Sequence, residues 1–373
     1  MPAAGVKHRR VVIAMSGGVD SSAAAALLQQ QGYEVIGMML RLWNEPGAEA
    51  ANRCCTPDAM ALARRVAGKL GIPFFAVDAQ QAFYDHVVQY FLAGYLAGET
   101  PNPCLACNRS IRWGLLLKHA LAMGADALAT GHYARLEEDE TGKMRLLKGV
   151  DAQKDQSYVL SVLNQEQLAH AIFPLGTYTK PQVRQMAREF GLPVAERADS
   201  QDLCFLGEDD YRAFLRRQSP QVEKPGPILR RSGEARGEAR GEAREEAMGE
   251  HRGLAFYTIG QRKGLGLNSQ TALYVLAKDP QNNALIVGEA EELGSRELYG
   301  RQVNWISGSP PAGSLRAGVK VRYKAADAAG TITPLDEGRV HVVFDQPVRD
   351  ITPGQGVVFY QGDICLGSGI IAA

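Results

Sequence analysis

One stretch constrains this chain more than any other: Val11–Val12–Ile13–Ala14–Met15–Ser16–Gly17–Gly18–Val19–Asp20–Ser21–Ser22. It opens on a short apolar run of β-type residues, which reads as a buried parallel strand. Two glycines follow and allow the backbone to turn tightly and approach a ligand. Ala23 to Gln31 are good helix formers, and Gly32 suits a helix C-terminus. Strand, glycine turn and helix N-terminus together make an anion site. Its amides converge, and the helix dipole adds roughly half a positive charge. The ligand expected there is a phosphate group. No Gly-Lys-Ser/Thr closes the loop and no Gly-x-Gly-x-x-Gly follows the strand, so it is neither a Walker loop nor a dinucleotide fingerprint.

A chain of 373 residues is expected to divide into two or three domains rather than build one core. Apolar residues at 45% and charged residues at 22% are ordinary for a globular protein. No apolar run reaches the roughly 20 residues needed to span a bilayer. Met1–Arg10 is basic but short and leads into a strand, so it does not read as a cleavable signal, and the expected location is the cytoplasm. Net formal charge is zero, so nucleic-acid binding would have to rest on local basic patches.

Residues 1–210 alternate strands and helices. Glu34–Leu40, Phe74–Val77 and Ala127–Thr130 read as strands, and Gln80–Ala97, Ile111–Met123 and Thr179–Phe190 as helices. A further helix starts at Thr56-Pro57-Asp58, and Glu208–Arg217 reads as a short closing helix. This pattern predicts an α/β, doubly wound parallel sheet with ligands at the carboxyl ends of its strands. The tips after Met15 and Thr130, together with a 100–109 loop, would converge there. Residues 211–290 read as a small β-rich domain. Within it Gly-Glu-Ala-Arg repeats three times over 233–244, a charged segment to which no function is assigned. Leu254–Ile259, Ala272–Ala277 and Ala284–Val287 are its expected strands. Residues 291–373 read as a terminal barrel, with strands at Val303–Ser307, Gly318–Tyr323, Arg339–Phe344 and Gly356–Tyr360.

Six cysteines in a chain of this length do not suggest a secreted disulfide scaffold. Cys104 and Cys107 form a Cys-x-x-Cys behind Pro101 and Pro103, a pair able to hold zinc, an iron–sulfur cluster or a redox disulfide. Cys54-Cys55 could add ligands. Cys204 follows a polar stretch containing Asp199 and Ser200. Cys365 reads as core, and His86, His119 and Trp113 read as core or surface of helices.

Seven motifs, in order, extend the argument. They are Ser-Gly-Gly-Val-Asp-Ser-Ser at 16–22, Cys-Cys-Thr-Pro-Asp-Ala at 54–59, Thr-Pro-Asn-Pro at 100–103 with Cys-Asn at 107–108, Thr-Gly-His-Tyr at 130–133, Lys-Asp-Gln-Ser-Tyr at 154–158, Cys-Phe at 204–205 and Tyr-Thr-Ile-Gly-Gln-Arg-Lys-Gly-Leu at 257–265. The set resembles the tRNA-specific 2-thiouridylase family, whose first loop is that of the ATP-pyrophosphatase superfamily. The resemblance implies ATP-dependent thiolation of the wobble uridine of tRNAs for Lys, Glu and Gln. Adenylation would turn uracil O2 into a good leaving group. It implies ATP contacts at Ala14, Met15, Ser16, Gly17, Gly18, Val19, Asp20, Ser21, Leu40 and Gly131, with Mg²⁺ near Asp20. It implies contacts of Asn102, Pro103 and Cys104 with the target base. Contacts with tRNA follow for Lys154, Asp155, Gln156, Arg322 and Tyr323, with His132 and Gln355 flanking the base. Cys204 would carry a persulfide and Cys107 would be the nucleophile, ending as a Cys107–Cys204 disulfide.

One departure opens a second scheme. Many family members carry Asp where this chain has Cys104. Three cysteines, Cys104, Cys107 and Cys204, could instead hold a [4Fe–4S] cluster whose open iron delivers hydrosulfide. The sulfur donor would be a cysteine desulfurase, a relay protein or sulfide. Two rival readings are an amidating ligase for a small molecule and a non-catalytic RNA-binding module. The cysteines and β domains argue against the first, and the intact loop argues against the second.

Overall fold

A computed structural model describes residues 9–45, 56–198, 203–206, 210–232 and 244–373. Cys54, Cys55, Asp199, Ser200 and all of the Gly-Glu-Ala-Arg repeat except Arg244 lie outside the described residues.

The N-terminal half holds β1 (Arg10–Ala14), α1 (Val19–Gln30), β2 (Glu34–Arg41), α2 (Pro57–Leu70), β3 (Phe74–Asp78), β4 (Ala127–Ala129), a hairpin of β5 (Ala134–Glu138) and β6 (Met144–Lys148), and β7 (Ala171–Ile172). Five of these strands form a parallel sheet in the order β3-β2-β1-β4-β7, the α/β arrangement that the alternation predicts. β1 is central, and its alternate side chains enter two cores. Val11 and Ile13 pack with α1 and α2, while Val12 packs with Trp113, Leu116 and Leu128. The start of α2 follows its sequence signals: Thr56 Oγ1 accepts a 3.0 Å bond from Ala59 N, with Pro57 at the first turn.

Two helical segments depart from expectation. Gln80–Leu96 contains a wide-turn π segment at Tyr84–Val88. The 100–109 segment is not a loop throughout. It turns helical at Pro103, runs as α through Ala106, continues as a π-helix over Cys107–Leu116 and returns to α over Leu117–Ala122. Asn102 and Pro103 explain the early start. Asn102 Oδ1 accepts from Cys104 N at 3.1 Å and Leu105 N at 3.4 Å, and proline fits the first helical position. Such π segments concentrate at functional sites.

The middle sheet combines β8 (Gly226–Ser232), β9 (Arg244–His251), β10 (Tyr274–Asp279) and β11 (Ala284–Gly288) in the order β10-β11-β8-β9. The expected strand at Leu254–Ile259 is instead a 3₁₀ turn, Leu254–Phe256, followed by irregular chain. Leu254, Ala255 and Phe256 are all buried, so the apolar run reflects burial on every side rather than a strand face.

β12 (Gly294–Trp305), β13 (Leu315–Lys320), β14 (Ala328–Leu335), β15 (Arg339–Arg349), β16 (Gly356–Gln361) and β17 (Ile364–Ile371) close into a six-stranded barrel. β12 makes the corner. It pairs with β15 up to Gly300 and with β17 from there on, with a bulge marked by Gln302 at φ 54°. The β5–β6 hairpin extends this barrel through β17, pairing Leu147 with Ile364 and Leu146 with Cys365. The same apolar cluster therefore holds Trp113 and Tyr158 together with Val358, Tyr360 and Ile370. Cys365 is buried there, as expected, and burial pushes its thiol far above the ordinary range.

Candidate active site

The turn after β1 is organised by its own hydroxyls. Ser16 N–H donates to Ser21 Oγ at 3.1 Å, and Ser22 Oγ donates to Gly18 O at 2.8 Å. Met15 N–H donates to Met38 O of β2 at 2.7 Å, anchoring the entry. Gly17 has φ +70°, and a Cβ there would lie 2.4 Å from Ala59 O, so the turn rests directly on the start of α2. The tip of β4 closes the other side. A Cβ on Gly131 would stand 2.8 Å from Ser21 N, against the first turn of α1.

Between these tips lies a cavity of about 510 Å³, within the range of nucleotide-sized sites. Nine of the expected nucleotide contacts line it: Ala14, Met15, Ser16, Gly18, Val19, Asp20, Ser21, Leu40 and Gly131. Gly17 turns its carbonyl to Arg197, whose Nη1 donates at 2.7 Å, and Arg197 lines the cavity itself.

Charge is arranged around the loop by residues that sequence reasoning missed. Lys180 Nζ sits 2.7 and 2.9 Å from the two carboxylate oxygens of Asp20, and Tyr133 OH donates to Asp20 Oδ1 at 2.8 Å. Lys180 is only 8% exposed and opens the Lys180–Glu189 helix. A lysine at a helix N-terminus opposes the dipole, and the Asp20 carboxylate offsets that cost. Arg112, in the π-helix, donates from Nη1 to His132 Nε2 at 3.1 Å. A guanidinium cannot accept, so Nδ1 carries the imidazole proton and donates to Thr130 Oγ1 at 2.7 Å. Burial, followed by the Arg112 charge, holds His132 well below the ordinary histidine range. The ring is neutral, and its bond to Arg112 joins two residues of the cavity wall.

The cysteines divide. Cys107, at the start of the π-helix, is buried and lines the cavity with the loop residues. Cys204 is partly buried and packs against the apolar cluster that contains Cys107. Its neighbour Phe205 meets Phe91, Phe214 and Phe83 with ring centroids 5.2, 5.5 and 5.9 Å away. Cys104 is exposed. Among the described residues, no three His, Cys, Asp or Glu side chains are grouped to hold a metal ion. The ligand set expected for a cluster on Cys104, Cys107 and Cys204 is therefore not assembled here. Cys107 and Cys204 pack in one apolar cluster, whereas Cys104 is exposed and lies within electrostatic reach of Tyr158 and of Tyr323 at the cavity.

The residues expected at RNA also separate by position. His132, Lys154, Gln156 and Tyr323 border the cavity. Gln156 Oε1 accepts from Tyr133 N at 3.0 Å. Asp155 turns inward: Oδ1 accepts from Gly149 N and Ser157 N, and Oδ2 from Ser157 Oγ, each at 3.0 Å. Arg322 Nη2 donates to Ile259 O at 2.9 Å and Thr352 Oγ1 at 2.7 Å, joining the middle segment to the barrel. Gln355 Nε2 donates to Thr100 O at 2.8 Å, which pins the segment carrying Asn102 and Pro103.

Comparison with known proteins follows this layout. A family profile described as "tRNA methyl transferase HUP domain" matches residues 9–208, "tRNA methyl transferase PRC-barrel domain" matches 225–289, and "Aminomethyltransferase beta-barrel domain" matches 295–371. A protein named tRNA-specific 2-thiouridylase MnmA from Moorella thermoacetica is 50% identical over 363 residues, covering 96% of this chain and 98% of the relative. Proteins of that name from Pelotomaculum thermopropionicum and Magnetococcus marinus are 47% and 46% identical, covering 98% and 97% of this chain and 98% and 99% of their own lengths. Identity of this order over alignments that span the nucleotide-sized cavity, the middle sheet and the barrel means that the chain belongs to the tRNA-specific 2-thiouridylase family.

Proposed function

We propose that this protein is a tRNA sulfurtransferase that uses ATP to convert the wobble uridine of tRNAs for Lys, Glu and Gln into 2-thiouridine. The observation that carries this reading is that Cys107 and the glycine loop line one cavity. A thiol and a pyrophosphate site that share a cavity suit a reaction in which an oxygen is activated and then replaced by sulfur.

In this reading the loop amides and the N-terminus of α1 hold the β- and γ-phosphates of ATP. Uracil O2 attacks the α-phosphorus, pyrophosphate leaves, and O2 becomes part of an AMP ester. Arg112, Lys154 and Arg197 supply positive charge at the cavity wall. A divalent ion fits Asp20 in one mode. With no three-ligand set among the described residues, it would be held by one carboxylate and the nucleotide's own phosphates, as magnesium commonly is. Nucleotide-bound magnesium would neutralise phosphate charge.

Sulfur delivery then falls to Cys107 and Cys204. A persulfide on Cys204, loaded by an external donor such as a desulfurase, a relay protein or sulfide with an oxidant, supplies the atom. Cys107 thiolate attacks the Cys204 sulfur and a Cys107–Cys204 disulfide forms. The terminal sulfur leaves as hydrosulfide, attacks C2 and expels AMP. A thiol reductant restores both cysteines. The apolar cluster shared by Cys107 and Cys204 supports a relay between these two sulfurs. Lys154 and Tyr323 at the cavity rim suit an extruded nucleotide, which needs phosphate contacts and a stacking surface. The reaction belongs in the cytoplasm, and among the described residues no helix is long and apolar enough to cross a membrane.

The test is the fate of ATP. Release of AMP and pyrophosphate should depend on tRNA bearing an unmodified wobble uridine. Cleavage stimulated by a small amino-acid substrate, with no response to tRNA, would replace this reading with the amidating ligase.

A further inference from the structure

The Asp20–Lys180 pair is unusual in its placement. Asp20 stands in the first turn of α1, inside the loop that the proposed function gives to pyrophosphate. Lys180 arrives from a helix start 160 residues away and contacts both carboxylate oxygens. Its backbone N–H is held at 2.9 Å by Asp151 Oδ2, so the base of the side chain is fixed while the ammonium end faces the cavity. The ion pair thus occupies the ground that ATP's terminal phosphates would need. It also satisfies the carboxylate that an accompanying magnesium ion would use.

We infer that Lys180 is a nucleotide-positioning residue that exchanges partners. In the protein without nucleotide its ammonium neutralises Asp20. When magnesium-bound ATP enters, the divalent ion takes over the Asp20 carboxylate and the ammonium moves onto the β- and γ-phosphates. The exchange keeps the charge balance at both ends: the carboxylate trades one cation for another, and the lysine trades one anion for another. Tyr133 OH, bonded to Asp20 Oδ1 at 2.8 Å, holds the carboxylate in place during the swap. The same cation then stands against the leaving pyrophosphate, where negative charge develops as the bond to the α-phosphorus breaks. This inference rests on the proposed function, because it assigns the phosphates of that nucleotide to the loop.

The exchange makes a prediction that a purely structural ion pair does not. Equilibrium binding of ATP and AMP is measured with and without Mg²⁺ for the wild type, Lys180→Met, Lys180→Arg, Asp20→Asn and the double variant Asp20→Asn/Lys180→Met. Lys180→Met should weaken ATP binding 10- to 100-fold while changing AMP binding less than threefold, and Lys180→Arg should recover most of the loss. Asp20→Asn releases the lysine. It should therefore tighten metal-free ATP binding several-fold, abolish the gain from Mg²⁺, and lose the metal-free advantage in the double variant. Thermal unfolding of each variant identifies any that do not fold, and Lys180→Arg then carries the test. Equal losses for ATP and AMP in Lys180→Met, or weakened metal-free ATP binding in a folded Asp20→Asn, would overturn the exchange. A wild type that binds no ATP at all would instead overturn the proposed function.

Discussion

Gly131 offers a quantitative test of how the nucleotide cavity is built. Replacing it with alanine adds one methyl group at the tip of β4. That methyl would stand 2.8 Å from Ser21 N, 2.9 Å from Asp20 C and 3.1 Å from Ser21 Cα. All three are backbone atoms in the first turn of α1, so no side chain can rotate aside. The strand tip and the helix start must separate by roughly half an ångström to reach ordinary contact, and overpacking of this kind costs about 1–3 kcal/mol. The strain falls on the wall that aligns the loop amides. Part of it should appear as lost ATP affinity, roughly 5- to 100-fold if most is relieved by displacing the loop. Gly32, at the far end of the same helix, is the control. It has φ +88° and nothing within 4 Å of an added Cβ. Gly32→Ala should cost about 1–2 kcal/mol of stability through its left-handed backbone and leave ATP affinity unchanged. Calorimetric titration with ATP and thermal unfolding measure both quantities. Wild-type ATP affinity in Gly131→Ala, or equal losses of affinity in both variants, would refute the claim that this contact shapes the site.

Two further predictions concern buried titrating groups. Burial lowers the Lys278 ammonium to about 7, and Glu99 opposes the shift only in part. Between that value and its ordinary range the unfolded chain binds the extra proton, so stability rises with pH from about 7 toward 10. Lys278→Met should flatten that rise and stabilise the protein by roughly 1–3 kcal/mol near pH 7, read from urea unfolding across pH. A steeper slope would contradict this. His132, held neutral by burial and Arg112, should contribute stability that is present above its unfolded value of 6.5 and lost as pH falls through and below it. His132→Gln should remove that acid-side loss, and an imidazole NMR titration should show no inflection for His132 between pH 6 and 8.

The parts of the fold that were legible are those written in local chemistry. The Ser-Gly-Gly turn, the Thr56–Pro57 helix start and the βα alternation each encode their own conformation within a few residues, and the parallel sheet followed. The nucleotide contacts expected of the loop motif, Ala14 to Ser21 apart from Gly17, line one cavity because that motif is contiguous. Lys180 and Arg112 were missed because their roles arise only when distant segments meet Asp20 and His132. The π-helix that carries Cys107 was hidden because its periodicity is neither 3.6 nor 2, and Asn102-Pro103, within a segment that reads as a loop, is a cap and first turn. The β5–β6 hairpin was missed although Asp139 and Gly142 signal its turn: Asp139 Oδ1 accepts from Thr141 N at 2.9 Å and Lys143 N at 3.1 Å, and Gly142 has φ +81°. Its partner strand β17 lies more than 200 residues away, so no local pattern announces that the hairpin extends the barrel.

In the proposed reaction the activated uridine receives its sulfur through Cys107 and Cys204, with Cys104 outside the relay. Mass spectrometry of the wobble uridine in tRNA, after incubation with ATP and a persulfide-loading donor under iron-free conditions, tests it most directly. 2-Thiouridine should form with the wild type and with Cys104→Ser, and not with Cys107→Ser or Cys204→Ser. Loss of product in Cys104→Ser as complete as in the other two, with activity returning only to the iron-reconstituted wild type, would contradict it.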